Sequence, residues 1–243
     1  LKLRARRSTA WGVVSGSTVP VAFDYTSFTN EQTVTIPALA APTVLTVSAV
    51  DENTVKLDWN DNSDNETQTS LEYRIPAGSG LYQALGTVGS NSGPKGTVTF
   101  DHIPGLVTDW QVRAQHQFDS NDTAVYSNVS NPVTFTLPFN PPTGLTVTMA
   151  GNPATSQTVA TLNWTDHSAV ETGYRVYART TSPANGTYVL VGQVATANAA
   201  TTTVEPGFLP GTSYDIQVRA YHVTGNIVTE SNPSNTVVAV SKD

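Results

Sequence analysis

The chain repeats itself, and no other feature narrows its possible folds as much. Residues 42–47 read Pro-Thr-Val-Leu-Thr-Val and residues 142–147 read Pro-Thr-Gly-Leu-Thr-Val. Trp59-x-Asp61-x-Ser63-x-x-Glu66-Thr67 returns as Trp164-x-Asp166-x-Ser168-x-x-Glu171-Thr172. Tyr82, Gly86 and Val88 match Tyr188, Gly192 and Val194, and Pro104-Gly105 with Gln111-Val112-Arg113-Ala114 matches Pro210-Gly211 with Gln217-Val218-Arg219-Ala220. Ser127-Asn128 and Ser130-Asn131 match Ser231-Asn232 and Ser234-Asn235. The blocks keep their order and their spacing drifts only between 100 and 106 residues, which defines a tandem duplication. Each copy is therefore a structural unit of ordinary domain size.

Within a copy the apolar period is two. Val55, Leu57 and Trp59 alternate with polar neighbours, as do Leu71, Tyr73 and Ile75, then Val98 and Phe100, then Trp110, Val112 and Ala114. That is the pattern of half-buried strands, and no stretch carries a helical period. Turn-forming residues punctuate the runs: Asn60 to Asn65, Ala77-Gly78-Ser79-Gly80, Ser90 to Gly96, Pro104-Gly105, Pro183 to Gly186 and Pro210-Gly211. The expected fold class is all-β, with tandem seven-stranded Greek-key β-sandwiches. Trp59, Trp110 and Trp164 sit at inward positions and are expected in the cores.

Both units resemble fibronectin type III domains. The resemblance rests on the opening Pro-x-x-Leu-x-Val, the Trp of the second strand, Tyr174-Arg175-Val176, Leu209-Pro210-Gly211-Thr212-x-Tyr214, the Val-Arg-Ala strand and the closing Ser-Asn-Pro-Ser. It covers residues 42–243, and the Asn/Asp-rich loop after the tryptophan is similar to that of bacterial members. It implies domains at 42–138 and 139–243, and a tyrosine at position 214 that anchors a corner by bonding its hydroxyl to nearby backbone. The first copy departs there, because Thr108 stands in the tyrosine's place; Thr108→Tyr is expected to stabilise it. Residues 1–41 are expected to hold the last two strands of a preceding domain plus a linker. Leu3-Arg4-Ala5 matches the sixth strand and Thr33-Val34-Thr35-Ile36-Pro37 the seventh, with a lengthened connection between them; an independent hairpin is the alternative. Two such strands leave Trp11, Val13, Phe23 and Phe28 in need of cover, supplied in cis or in trans.

Chemistry is sparse. Lys and Arg number 12 against 19 Asp and Glu, a net charge of −7, with no basic stripe that would neutralise phosphates, so a nucleic-acid partner is not expected. No apolar run reaches the ~18 residues of a membrane span, so no membrane insertion is expected. There is no cysteine, hence no disulfide framework or thiolate metal site. His102, His116, His167 and His222 stand in no metal-ligand spacing and are expected on exposed strands or loops. No nucleophile elbow or phosphate-cradling loop occurs, so neither catalysis nor a cofactor is expected. The one metal candidate is calcium, on Asp58, Asp61, Asp64 and Glu66, whose carboxylates share one Asn-rich stretch. Asn and Asp are also what a tight loop there requires. Tyr82, Tyr126, Tyr177 and Tyr188 are expected to be exposed, without the linear stripe of a sugar platform, and Arg74, Arg175, Arg179 and Arg219 to lay their stems across an open sheet face. Asn65, Asn121, Asn128, Asn163 and Asn185 head Asn-x-Ser/Thr sequons, as an Asn- and Thr-rich composition produces, and no Arg-Gly-Asp tripeptide is present.

With the resemblance, these features imply a non-catalytic structural or adhesion module of a larger assembly, extracellular or in a virion. Low charge, abundant Thr, Asn and Gly, and the lack of cysteine fit a bacterial or phage origin over an animal ectodomain. The role expected first is a bacteriophage tail tip or fibre, with other copies of the chain and neighbouring structural proteins as partners and a host-surface glycan or protein as a further one. A spacer in a secreted polysaccharide-degrading enzyme and a cell-surface adhesin are the alternatives.

Overall fold

The computed structural model describes residues 6–14, 17–25, 38–90, 93–117, 123–152, 154, 157–182 and 186–242. Every regular element among them is a strand. The first two, β1 (Arg6–Val14) and β2 (Ser17–Tyr25), form an antiparallel hairpin with Val14 opposite Ser17. This hairpin occupies the stretch read from sequence as a connection, and it belongs to a unit distinct from residues 39–243. Residues 3–5 and 33–37, Phe28, and the side chains of Trp11, Val13 and Phe23 lie outside the described residues.

The first sandwich packs a three-stranded sheet on a larger one. In the small sheet β4 (Thr54–Asn60) lies between β3 (Thr43–Ala49) and β7 (Lys95–Asp101). The large sheet runs β10 (Val133–Thr136), β8 (Val107–His116), β5 (Gln68–Arg74), β6 (Gln83–Gly89), and the short β9 (Val125–Tyr126) pairs with the far end of β8. The second sandwich repeats this with β11 (Thr143–Asn152), β12 (Gln157–Thr165) and β15 (Thr201–Val204) against β14 (Val189–Val194), β13 (Gly173–Thr180), β16 (Ser213–Thr224) and β17 (Ile227–Glu230), with β18 (Val237–Val240) also on β16. The tandem β-sandwich expected from period and repeat is what the chain forms.

Alternation places the cores. Val55, Leu57 and Trp59 of β4 point inward and meet Leu71 of β5 and Trp110 and Val112 of β8, all nearly inaccessible to solvent. Leu162, Trp164, Tyr174, Val176, Ile216 and Val218 do the same in the second sandwich. Trp59 fits only because Gly96 faces it across the ladder: a Cβ there would fall 2.0 Å from Trp59 Cε2, so the indole lies where a side chain would be.

The repeated Ser-Asn pairs also have a mechanical reason. The chain after β9 and β17 kinks away from the regular ladder, and serine hydroxyls take the place of backbone acceptors: Ser127 and Ser130 Oγ accept from Ala114 and Val112 N, Ser231 and Ser234 Oγ from Ala220 and Val218 N. Asn131 and Asn235 Oδ1 then accept from Leu45 and Leu145 N, at 3.2 and 2.8 Å, which staples the first strand of one sheet to the edge of the other.

The corner where the copies differ in sequence also differs in structure. Tyr214 Oη accepts from Leu209 N at 2.9 Å, with Phe208 edge-on to its ring. In the first sandwich Thr108 is fully buried and its Oγ1 is bonded to His102 Nε2 at 3.0 Å, while the His102 ring stands edge-on to Trp110. His102 with Thr108 thus fills in the first sandwich the corner that Phe208 with Tyr214 fills in the second.

Candidate functional site

The Asn/Asp-rich loop follows β4, which ends at Asn60. Of the four carboxylates read as one cluster, the structure gathers three. Asp61, Asp64 and Glu66 line a shallow cleft with Ser90 and Pro94. Asp58 lies on β4 itself, in a separate depression with Lys56, Lys95 and Thr97. Its Oδ2 is 3.0 Å from Lys56 Nζ; burial works to raise its carboxyl, but the bonds from Thr97 and Lys56 outweigh that and hold it below the usual value.

Inside the loop the side chains serve the backbone. Asp61 Oδ1 accepts from Ser63 N at 3.2 Å, Ser63 Oγ donates to Asn65 Oδ1, and Asn62 Nδ2 donates to Ala41 O and Thr43 Oγ1. Asp61 Oδ2 and Glu66 Oε2 are buried with no hydrogen-bond partner. In the second copy Asp166 Oδ1 accepts from Ser168 N at 2.9 Å and Glu171 Oε1 from Asn198 N at 2.6 Å. The buried Tyr174 hydroxyl lies beside this pair, and burial first, then Asp166 and Glu171, push its pKa far above the usual range. Loop closure by the Asp carboxylate on the Ser N–H two residues later is thus common to both copies. Among the described residues no three His, Asp or Glu side chains converge as a metal group, and no helix is long and apolar enough to cross a membrane.

The histidines are less exposed than their sequence positions suggest. His116 and His222, at matching places after the Val-Arg-Ala strands, donate Nδ1–H to Asn65 O and Val170 O, both at 2.5 Å, and so hold the loop that follows the core tryptophan. His102 belongs to the corner already described, and only His167 is exposed.

On the outward face of the large sheets the arginines meet partners that the sequence reading did not assign. Arg74 pairs with the buried Asp109 directly opposite it on β8 and covers the Tyr82 ring at 4.7 Å. Arg113 pairs with the buried Glu72 and lies 3.9 Å over Tyr126. In the second sandwich Arg179 pairs with Asp215 and covers Tyr188, and Arg175 pairs with Glu230 at 2.7 Å and covers Tyr221. Tyr177 Oη donates to Glu230 Oε1 at 2.6 Å beneath Arg219; burial and then Glu230 raise its pKa. Tyr82, Tyr177 and Tyr188 are accordingly half-buried, not free, and Tyr126 alone of the four is exposed. The signal for these pairs lay in strand register, since Arg74 faces Asp109 and Arg179 faces Asp215 across one ladder. Asp109 also accepts from Gly78 N at 2.7 Å and Thr134 Oγ1 at 2.5 Å; the bonds from Thr134, Gly78 and Arg74 hold its carboxyl down at about 2.

Residues 140–237 match the fibronectin type III domain. Among solved structures, a two-domain fibronectin type III segment from chicken tenascin is 18% identical, with 83% of this chain and 100% of that one covered and a TM-score of 0.45. The FN1–FN3 domains of chicken CNTN1 are 17% identical over 96% of this chain and 76% of that one, with a TM-score of 0.35. No curated protein sequence matches the chain. The fold is thus a tandem β-sandwich whose second unit matches the fibronectin type III domain.

Proposed function

We propose that this chain is a non-catalytic structural and adhesion module of a larger assembly, a bacteriophage tail tip or fibre, with other copies of itself and neighbouring structural proteins as partners. The observation that carries the structural part is the mutual satisfaction of the outward Arg, Tyr and carboxylate groups: the faces that would bear a reactive constellation are occupied by cross-strand ion pairs under stacked rings. Groups held this way stiffen a surface and offer no free acid, base or nucleophile. Low charge, absent cysteine and the resemblance of the Asn/Asp-rich loop to bacterial domains of this kind support a bacterial or phage origin, within which the tail is the reading put forward.

Immuno-electron microscopy with antibodies to residues 42–243 tests it on virions and culture supernatant from the strain that encodes the chain. Label on tails is the expected result; label confined to a secreted glycan-degrading fraction moves the enzyme-spacer reading ahead. A calcium titration followed by melting is expected to leave the first sandwich unchanged, and a rise reversed by chelation would make Asp61, Asp64 and Glu66 a metal site.

A further inference from the structure

The junction between the two sandwiches has almost no free chain. Leu137 is fully buried in the first core and Phe139 is buried in the second, so Pro138 alone separates the two anchors. Pro138, Pro141 and Pro142 fix φ at three of the five positions 138–142 and supply no N–H. Asn140 precedes a proline and is restricted to extended backbone. This short linker is fastened to the second sandwich: Asn140 Nδ2 donates to His167 O at 3.2 Å, and Thr143 Oγ1 is bonded to His167 Nε2 at 2.7 Å.

One side chain of the first sandwich reaches across. Glu52, in the turn between β3 and β4, accepts from Asn140 N through Oε1 at 2.7 Å and from Ala169 N through Oε2 at 2.8 Å. A single carboxylate thus holds the linker and the loop after Trp164 at once, with charge-assisted bonds, which are the stronger kind. The corner Pro104-Gly105 also approaches the second sandwich. Gly105 has a φ of 71°, and a Cβ built on it would stand 3.4 Å from Glu230 O and 3.5 Å from Phe139 Cδ1. Ile103, Pro104, Val170 and His222 line one shallow cleft.

Tandem domains joined by a linker move relative to each other unless something prevents it. We infer that Glu52 is a latch that locks the two sandwiches into one body with a fixed interdomain angle, so that the module transmits orientation as well as distance. This goes beyond the assembly role proposed above and does not depend on it.

The test is residual dipolar couplings on the full chain, measured for the wild type, Glu52→Ala and Glu52→Gln. The wild type is expected to fit one alignment tensor across residues 42–242. Glu52→Ala is expected to lose that common tensor while each sandwich keeps its own internal fit and its buried-tryptophan fluorescence. Glu52→Gln retains one acceptor oxygen and should fall between the two. Two separate tensors in the wild type, or one common tensor in Glu52→Ala, would overturn the proposal. Glu52 lies in a surface turn outside both cores, so the internal fits distinguish a released latch from a lost fold.

Discussion

Val44 and Gly144 occupy the same place in the two copies, next to the bulge that shifts the register of each first strand. Both have positive φ, 54° and 63°. Glycine takes that conformation freely, whereas a β-branched residue crowds its own backbone there, at a cost of order 1–3 kcal/mol. Val44 is 60% exposed, so little packing offsets the strain. Val44→Gly is therefore expected to stabilise the first sandwich by about 1 kcal/mol in urea unfolding, net of the greater freedom of glycine in the unfolded chain. Unchanged or lower stability would show that the bulge tolerates valine without strain. At the opposite extreme, Trp59→Ala or Trp164→Ala should each cost ~3–5 kcal/mol, from the cavity and the lost burial.

At the scale of elements, the corner preceding β8 and β16 has two solutions. Phe208 with Tyr214 forms one and His102 with Thr108 the other. Each pair is internally consistent, so mixing them should fail: His102→Phe and Thr108→Tyr are each expected to lower the melting temperature of the first sandwich. Made together they should recover part of the loss, with the new hydroxyl reaching Ile103 N as Tyr214 reaches Leu209 N. Additive losses in the double mutant would reject the exchange. The same corner marks how far sequence reading reached. Strands, turns and the inward tryptophans were legible because period two and Gly, Pro or Asn turns are local properties of the chain. The Thr108 substitution was visible, but its partner six residues earlier was not, because a His–Thr bond leaves no periodic trace. The acidic stretch around Asp58 to Glu66 looked like one cluster because sequence shows proximity, not direction: Asp58 is still on the strand and faces its lysine neighbours, whereas Asp61 has already entered the turn. Arg74 with Asp109 and Glu52 with Asn140 join residues 35 and 88 positions apart, a distance over which pattern alone makes no pairing.

For the whole molecule, stability against pH brings two perturbed groups of the first sandwich into one measurement. Burial lowers the His102 pKa from its ordinary 6.5, so the unfolded chain binds that proton more readily than the folded one. Stability then rises with pH wherever the unfolded state holds more protons. The His102 contribution is complete above about pH 6.5 and is lost progressively as pH falls below it. Asp109 has the same sign at lower pH: its carboxyl is held at about 2 against an ordinary 3.8, so its contribution is complete above 3.8 and disappears as pH falls through about 2. Urea unfolding read through the buried Trp59 and Trp110 should therefore show a shallow decline starting below neutrality and a second one beginning below pH 4. His102→Gln should remove the first decline and leave the second, and Asp109→Asn should do the reverse at a lower plateau, since Arg74 would lose its charged partner. A first decline that persists in His102→Gln would assign it to another group and refute the corner as its source.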